Sequence, residues 1–486
     1  MLLLHCLANN DKFSSQKVNM FLLFTQSLNM RKMKFSVVLL GVIVQFLCSD
    51  VLAQSNGDWE VLFNGKDFTG WRELNGKHKW EVKDGMIIGT DVHDQPNGFL
   101  CTEKEYGDFI LELEVSIDTL MNNSGIQFRT RSTADYLNGR VHGYQMEVDP
   151  KPQRWSGSIY DEGGRRGWLY TTELNVPGKT AFKNNQWNKY RIECFGTTIR
   201  TWVNNIPISY LVDAESLKGF IGLQLHANNP TDPPGGNQVR FRNIRIKTKN
   251  IKASPEQDIY VVNTIPNNLS QHEKTTGYSL LWDGKSTSGW TDKYGSAIPE
   301  KGWAIRDSAL ITPDRSGNGS GFDIMTKKQF STFILKFDFK LTTGANSGIK
   351  YFVVNQSKNS QAGEAVAALE YQIVDDSVPG ISGNRTLGSL ADLLAPEKNR
   401  FALRKTGEWN QGIIKVLPGS QVEYWLNGFK ILSYKLGSPE FTNLVANSKY
   451  KNLPDFAKPA LGHILLEGRG GTVFYRSIKI KELNKH

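Results

Sequence analysis

Apolar and polar residues alternate in short runs along most of the chain, as in Phe109-Ile-Leu-Glu-Leu-Glu-Val115, Tyr190-Arg-Ile-Glu-Cys194 and Phe333-Ile-Leu-Lys-Phe-Asp-Phe339. A period of two sends neighbouring side chains to opposite faces of a strand, one buried and one wet. Between such runs stand Asn64-Gly65, Asn204-Asn205 and Asn427-Gly428. These pairs tolerate the left-handed backbone of tight hairpins. No long segment carries a helical period. The pattern predicts an all-β chain built as a sandwich or jelly roll.

The pattern occurs twice. Val61-Leu-Phe-Asn-Gly-Lys66 with Gly70-Trp71 is matched by Leu280-Leu-Trp-Asp-Gly-Lys285 with Gly289-Trp290. Trp80-Glu-Val-Lys-Asp84 is matched by Trp303-Ala-Ile-Arg-Asp307, and Asn123-Ser-Gly-Ile126 by Asn346-Ser-Gly-Ile349. Trp187-Asn188 answers Trp409-Asn410, and Val239-Arg-Phe-Arg-Asn-Ile-Arg-Ile246 answers Val473-Phe-Tyr-Arg-Ser-Ile-Lys-Ile480. The order is kept, at an offset of about 220 residues, which implies duplication of a whole domain rather than a short solenoid repeat. We expect a first sandwich over 57–249 and a second, divergent one over 277–483. Between them, 250–276 is polar and carries Pro255 and Pro266, so it reads as a linker.

The first 53 residues read as processing signal rather than fold. Arg31, Lys32 and Lys34 precede an apolar run from Phe35 to Leu47, and Val51-Leu-Ala53 offers small residues for cleavage before Gln54. The run is short for a membrane span. Translation is expected to begin at Met30 or Met33, and the protein to be exported to the periplasm or beyond. Cys48 raises a lipid anchor as the alternative, although Leu47 stands where such a site wants a small residue. The net charge is +10, and no basic block appears along the chain, so a nucleic-acid stripe is not indicated. Cys101 and Cys194 remain after processing. An oxidising compartment would permit a disulfide between them, and two free buried thiols are the other reading.

Taken together, these motifs resemble the 3-keto-disaccharide hydrolase family, long a family of unknown function with a concanavalin-like jelly-roll sandwich. The marks are the "LF-x-G-K…GW" opening, "W-x-V-x-D-G", Tyr106-Gly-Asp-Phe-Ile-Leu111, Asn123-Ser-Gly-Ile126 followed by Arg129, the Gln145-Met-Glu147 strand, Gly222-Leu-Gln-Leu-His226, and the closing Phe241-Arg-Asn-Ile244. The Glu/Gln strand is inverted in the first copy, whereas the second keeps Glu370-Tyr-Gln372. The second copy has Tyr351-Phe352 in place of Phe128-Arg129, and Gly462-His-Ile-Leu-Leu-Glu467 in place of the Gln224-Leu-His226 region. The resemblance implies two tandem concanavalin A-like jelly-roll domains and cleavage of 3-keto-glycosides.

Candidate chemistry gathers on the first copy. Gln145 and Glu147 lie two apart on a strand and share a face, as do Glu370 and Gln372. A carboxylate beside a carboxamide suits hydroxyl-rich ligands, although a polar face on an antiparallel sheet is also ordinary. The segment from Asp149 to Tyr170 holds Trp155, Tyr160, Glu162, Arg165, Arg166 and Trp168, and its glycines allow close approach to a sugar. His226 ends an apolar strand and titrates near neutrality, which suits a base. His142 is a weaker candidate. Gln224 belongs with the binding set. Glu147, Asp149 and His226 offer mixed oxygen and imidazole donors for a divalent ion, though no cofactor is required by any motif.

If the family's activity carries over, His226 or Glu147 removes the C2 proton of a substrate already oxidised at C3. Arg129 or a bound cation then stabilises the enolate, and Glu162 protonates the departing sugar before water adds. A separate sugar 3-oxidoreductase would supply the ketone. The rival reading is a lectin-like carbohydrate-binding protein, because fold does not fix function. The second copy, lacking the arginine and histidine, reads as a divergent companion.

Overall fold

The computed structural model describes residues 58–118, 123–164, 166–232, 234–298, 302–312, 322–354, 366–453, 455–458 and 460–483. The leader reading over 1–53 and the candidate Arg165 lie outside these residues. Almost all regular structure is strand. Among the described residues no helix is long and apolar enough to cross a membrane.

The first half is two packed antiparallel sheets. One runs Ile206–Val212, Thr198–Val203, Asn188–Phe195, Phe109–Ile117, Gln238–Lys247, Met86–Thr90 and Lys79–Lys83 in spatial order. The other runs Gly167–Tyr170, Ile159–Glu162, His142–Val148, Ser124–Arg131, Gly219–Leu225, Gly98–Tyr106 and Trp71–Asn75. Alternation decides what meets between them. Leu111, Leu113 and Val115 from the first sheet pack on Ile126, Phe128, Tyr144 and Met146 from the second. Burial of these apolar side chains is the main drive that holds the sheets together. The period of two then sends Gln127, Gln145, Glu147 and Gln224 to the opposite face of the second sheet.

The second half repeats the two-sheet plan, with Phe333, Leu335, Phe337 and Phe339 in its core. Hydrogen bonds fix which residues correspond. Ser124 Oγ donates to the Gln224 carbonyl at 2.7 Å, and Ser347 Oγ to that of Glu467 at 2.7 Å. The Glu147 amide donates to Ser158 O and its carbonyl accepts from Gly157 N; Gln372 makes the same pair with Ser389 and Gly388. Gln127 stands across from Gln145, and Lys350 across from Glu370. The first half therefore reads Gln127, Gln145, Glu147, Gln224 and His226 where the second reads Lys350, Glu370, Gln372, Glu467 and Arg469. Among the described residues the edge strands Ile159–Glu162 and Gly167–Tyr170 have no strand counterpart on the second half's five-stranded sheet.

The stretch 250–276, expected as a linker, is fitted against both halves. Val262–Asn263 adds a parallel strand beside Leu211 and Val212. The carbonyls of Ser254 and Pro255 accept from Arg200. Lys336 from the second half donates to Val261 O at 2.8 Å. A capping box between Ser270 and Glu273 starts a short helix at Gln271, which explains a helical turn that the alternation does not announce. Cys101 and Cys194 are both free and buried, and burial pushes both thiols well above their ordinary range. That settles the choice left open between a disulfide and two thiols.

Candidate functional site

Four adjacent strands build one polar row. Tyr160 pairs with Gln145, Gln145 with Gln127, and Gln127 with Gly222. Direct cross-strand partners share a face, so the row is continuous. Glycine is required beneath it: a Cβ on Gly125 would sit 2.3 Å from the Gln145 side chain. The amides are chained. Gln127 donates to Gln145, and Gln145 Nε2 donates to Glu147 Oε2 at 2.9 Å. A second chain meets at Glu162, whose carboxylate accepts from Asn97 Nδ2 at 3.0 Å and from Gln224 Nε2 at 3.3 Å. Asn97 Oδ1 in turn accepts from the Ala227 amide at 2.7 Å, which ties the backbone after His226 to Glu162.

Burial sets the protonation states. Glu147 is 2% exposed, and burial, with the Asp149 and Glu162 charges near it, pushes its carboxyl up to about 8. Glu162 and Asp149 are also raised by burial. His226 is lowered, again by burial first. Its Nδ1 lies 2.9 Å from the Ala227 carbonyl. That contact needs the proton on Nδ1, which leaves Nε2 as the basic nitrogen. At neutral pH the His226 imidazole is therefore neutral and the Glu147 carboxyl keeps its proton. The Lys151 ammonium acts on both Glu147 and His226. The Gln224 Oε1 is buried and meets no donor among the described residues. Beside this corner a cavity of about 520 Å³ is lined by Asp149, Lys151, Arg154 and Lys183.

Several expected residues stand elsewhere. Arg129 sits on a bulge at φ 49°, fully buried beneath the sheet. Its guanidinium donates to Gly107 O at 2.9 Å, Gly196 O at 2.6 Å and Asp108 Oδ1 at 3.0 Å, so it staples loops. Arg166 pairs with Asp213 and Asp161. Trp155 is buried in the second half's core, 5.2 Å from Phe401 and 5.9 Å from Phe429, and forms the junction rather than a sugar platform. Trp168 packs edge-on to Trp155 at 4.7 Å and to Tyr160 at 5.0 Å. Asp149 spends its carboxylate on the amides of Lys151 and Trp155, shaping the loop. His142 lies against Tyr136, away from the row. Among the described residues no three His, Cys, Asp or Glu side chains converge as metal ligands.

The structure adds Gln127, Asn97 and Lys151, which sequence reasoning passed over. Gln127 had a signal, since it continues the Asn-Ser-Gly-Ile strand at even spacing. Asn97 and Lys151 had none, because they reach the face from loops.

The second half carries charge on the same face. Lys350 lies 2.5 Å from Glu467 and 3.6 Å from Glu370, and Arg469 lies 2.7 Å from Glu467. Glu467, held between two cations, stays ionised. Glu370, buried beside that charge, is pushed up to about 8. Gln372 donates to Asn346 Oδ1 and Ser347 O.

The division into two halves agrees with the family match. The model of the 3-keto-alpha-glucoside-1,2-lyase-like domain matches residues 58–247 and 277–481. A 3-keto-disaccharide hydrolase of Bacteroides thetaiotaomicron is 29% identical over 233 residues, covering 43% of this chain and 79% of that protein. A crystal structure of a candidate glycosyl hydrolase from Parabacteroides distasonis is 30% identical, with a TM-score of 0.40, over 45% of this chain and 100% of that one. A beta-1,3-1,4-glucanase derived from a mouse hindgut metagenome is 12% identical, with a TM-score of 0.28, over 39% of this chain and 97% of its own. The chain belongs to the 3-keto-alpha-glucoside-1,2-lyase-like family, whose domain matches it in two stretches.

Proposed function

We propose that the first half cleaves glycosides already oxidised at C3, by loss of the C2 proton, elimination and hydration. The observation that carries this reading is the pair of protonation states at Glu147 and at His226, just past the Gly219–Leu225 strand, both within reach of the Lys151 charge. His226 is kept neutral by burial, and Glu147 keeps its proton to about pH 8. A base and an acid of that kind, poised near neutrality, are what the reaction asks for.

The C3 ketone makes the C2 proton acidic. His226 Nε2 takes that proton, and the electron pair moves into an enolate at the C3 oxygen. Lys151 takes over the stabilising role that the sequence assigned to Arg129, because its charge is felt by both His226 and Glu147. The enolate then expels the oxygen at C1, and Glu147 protonates that leaving group. Glu162, held by Asn97 and Gln224, contributes the negative field that helps Glu147 retain its proton, a positioning role rather than the acid role expected from sequence. Water adds across C1 and C2, hydroxyl to C1 and proton to C2. The sum is hydrolysis of one glycosidic bond with no net redox change. A sugar 3-oxidoreductase must supply the ketone, and export places the enzyme where glycans occur.

Purified full-length protein should consume methyl 3-keto-glucoside and leave methyl glucoside intact. Turnover of neither sinks the proposal, and saturable binding without turnover would favour the lectin reading.

A further inference from the structure

The polar row does not stop at Tyr160. Its next cross-strand partner is Trp168, on the same face at the edge of the sheet. Trp168 also lines a cavity of about 640 Å³ between the halves, whose other wall comes from the second half, including Arg404, Trp409 and Gln411. Arg404 reaches across. Its guanidinium donates to the Trp168 carbonyl at 3.1 Å, and NH1 lies 3.5 Å from where a Cβ on Gly167 would stand. Its Nε–H is buried and meets no acceptor among the described residues. A buried donor left unmet is disfavoured, so an acceptor brought to this guanidinium is favoured. The volume suits one or two sugar units, and domain junctions are a common place for such sites.

We propose that this cavity is the subsite for the second, unoxidised sugar of a disaccharide substrate, and that Arg404 of the second half positions it by donating to ring hydroxyls. The inference rests on the functional reading above and extends it. It gives the second half a part in recognition although its own sheet face is altered. The planar fork of Arg404 matches two adjacent hydroxyls, and Trp168 supplies an apolar edge. The charge on Arg166 is already paired by Asp213 and Asp161, and that on Arg476 by Asp338, so Arg404 is the cation with a donor to spare.

The test uses full-length protein, R404A and R404K, each checked for a native melt. The substrates are methyl 3-keto-glucoside and two disaccharides, maltose and cellobiose, oxidised at C3 of the non-reducing ring. We expect KM for the preferred disaccharide to rise at least tenfold in both variants, with the methyl glycoside unchanged. An equal change on all substrates, or none, overturns the proposal. Calorimetry with unoxidised maltose and cellobiose separates the two levels of argument. If the wild type turns over no keto-sugar, the functional reading fails. The Arg404 subsite then stands on a tenfold loss of disaccharide affinity in R404A. It falls if affinity is unchanged or if the wild type binds neither disaccharide. Should R404A fail to fold, R404K carries the same comparison, because it keeps the charge and the stem but not the fork.

Discussion

Gln145 donates its Nε2 hydrogen to Glu147 Oε2 at 2.9 Å, two residues along one strand, and Gln127 donates to Gln145 in turn. The chain of amides leaves Glu147 with one ordered oxygen and a proton that burial retains. Glu147→Gln keeps the shape and removes the acid. We expect kcat to fall by about a hundredfold or more, the usual worth of a positioned acid, while substrate binding persists. Steady-state kinetics beside calorimetry on the variant checks this. A loss of binding with kcat intact would contradict it.

Stability should decline as pH rises. Glu147 and Glu370 both have folded-state values near 8, raised by burial from an ordinary 4.5. Below 4.5 folded and unfolded chains are protonated alike, and these groups leave stability undiminished. Between 4.5 and 8 the unfolded chain loses protons that the folded chain keeps, so folding weakens by up to about 1.4 kcal/mol per pH unit for each group. Chemical denaturation at pH 5.5 and pH 8 measures the slope. Both Glu147→Gln and Glu370→Gln should flatten it.

Activity should follow a bell. His226 is the base, and its value lies below the ordinary 6.5, so the acid limb falls below that pH. Loss of the Glu147 proton near 8 gives the alkaline limb. A kcat/KM profile checks both limbs. In Glu147→Gln the alkaline limb should vanish.

Arg129→Ala should be a stability mutation. The side chain is fully buried and satisfies two backbone carbonyls and Asp108. Losing those charge-assisted bonds should cost about 3 kcal/mol or more. KM and kcat per folded molecule should hold, which a melt beside kinetics on the folded fraction tests. A selective fall in kcat would return Arg129 to the site.

Glu370→Gln should leave turnover intact. The second half's face is committed to Lys350, Glu467 and Arg469, and no imidazole stands in the place of His226. An activity loss comparable to that of Glu147→Gln would mean that both halves are catalytic.

The alternation in Phe109–Val115 and Phe333–Phe339 was enough to announce strands with one buried face, because the period of two is a local property. The pairing of Gln145 with Glu147 was legible for the same reason. Contacts between residues distant along the chain are what alternation does not show. Trp155 looks like a sugar platform in a glycine-rich loop, yet Phe401 and Phe429, far along the chain, claim it for the junction. Arg129 follows a family motif, but the bulge at φ 49° turns it beneath the sheet. Asn97 and Lys151 were missed because loops carry no period. The polar composition of 250–276 suggested a tether, and only the partners Arg200 and Lys336 reveal it as packed.

The central claim is that the C2 proton leaves during cleavage, and deuterium reports it most directly. Turnover of methyl 3-keto-glucoside in D2O, followed by NMR and corrected for exchange of the free keto-sugar without enzyme, should yield 3-keto-glucose carrying deuterium at C2. Retention of the original hydrogen at C2 would mean direct displacement at C1 and would contradict the account.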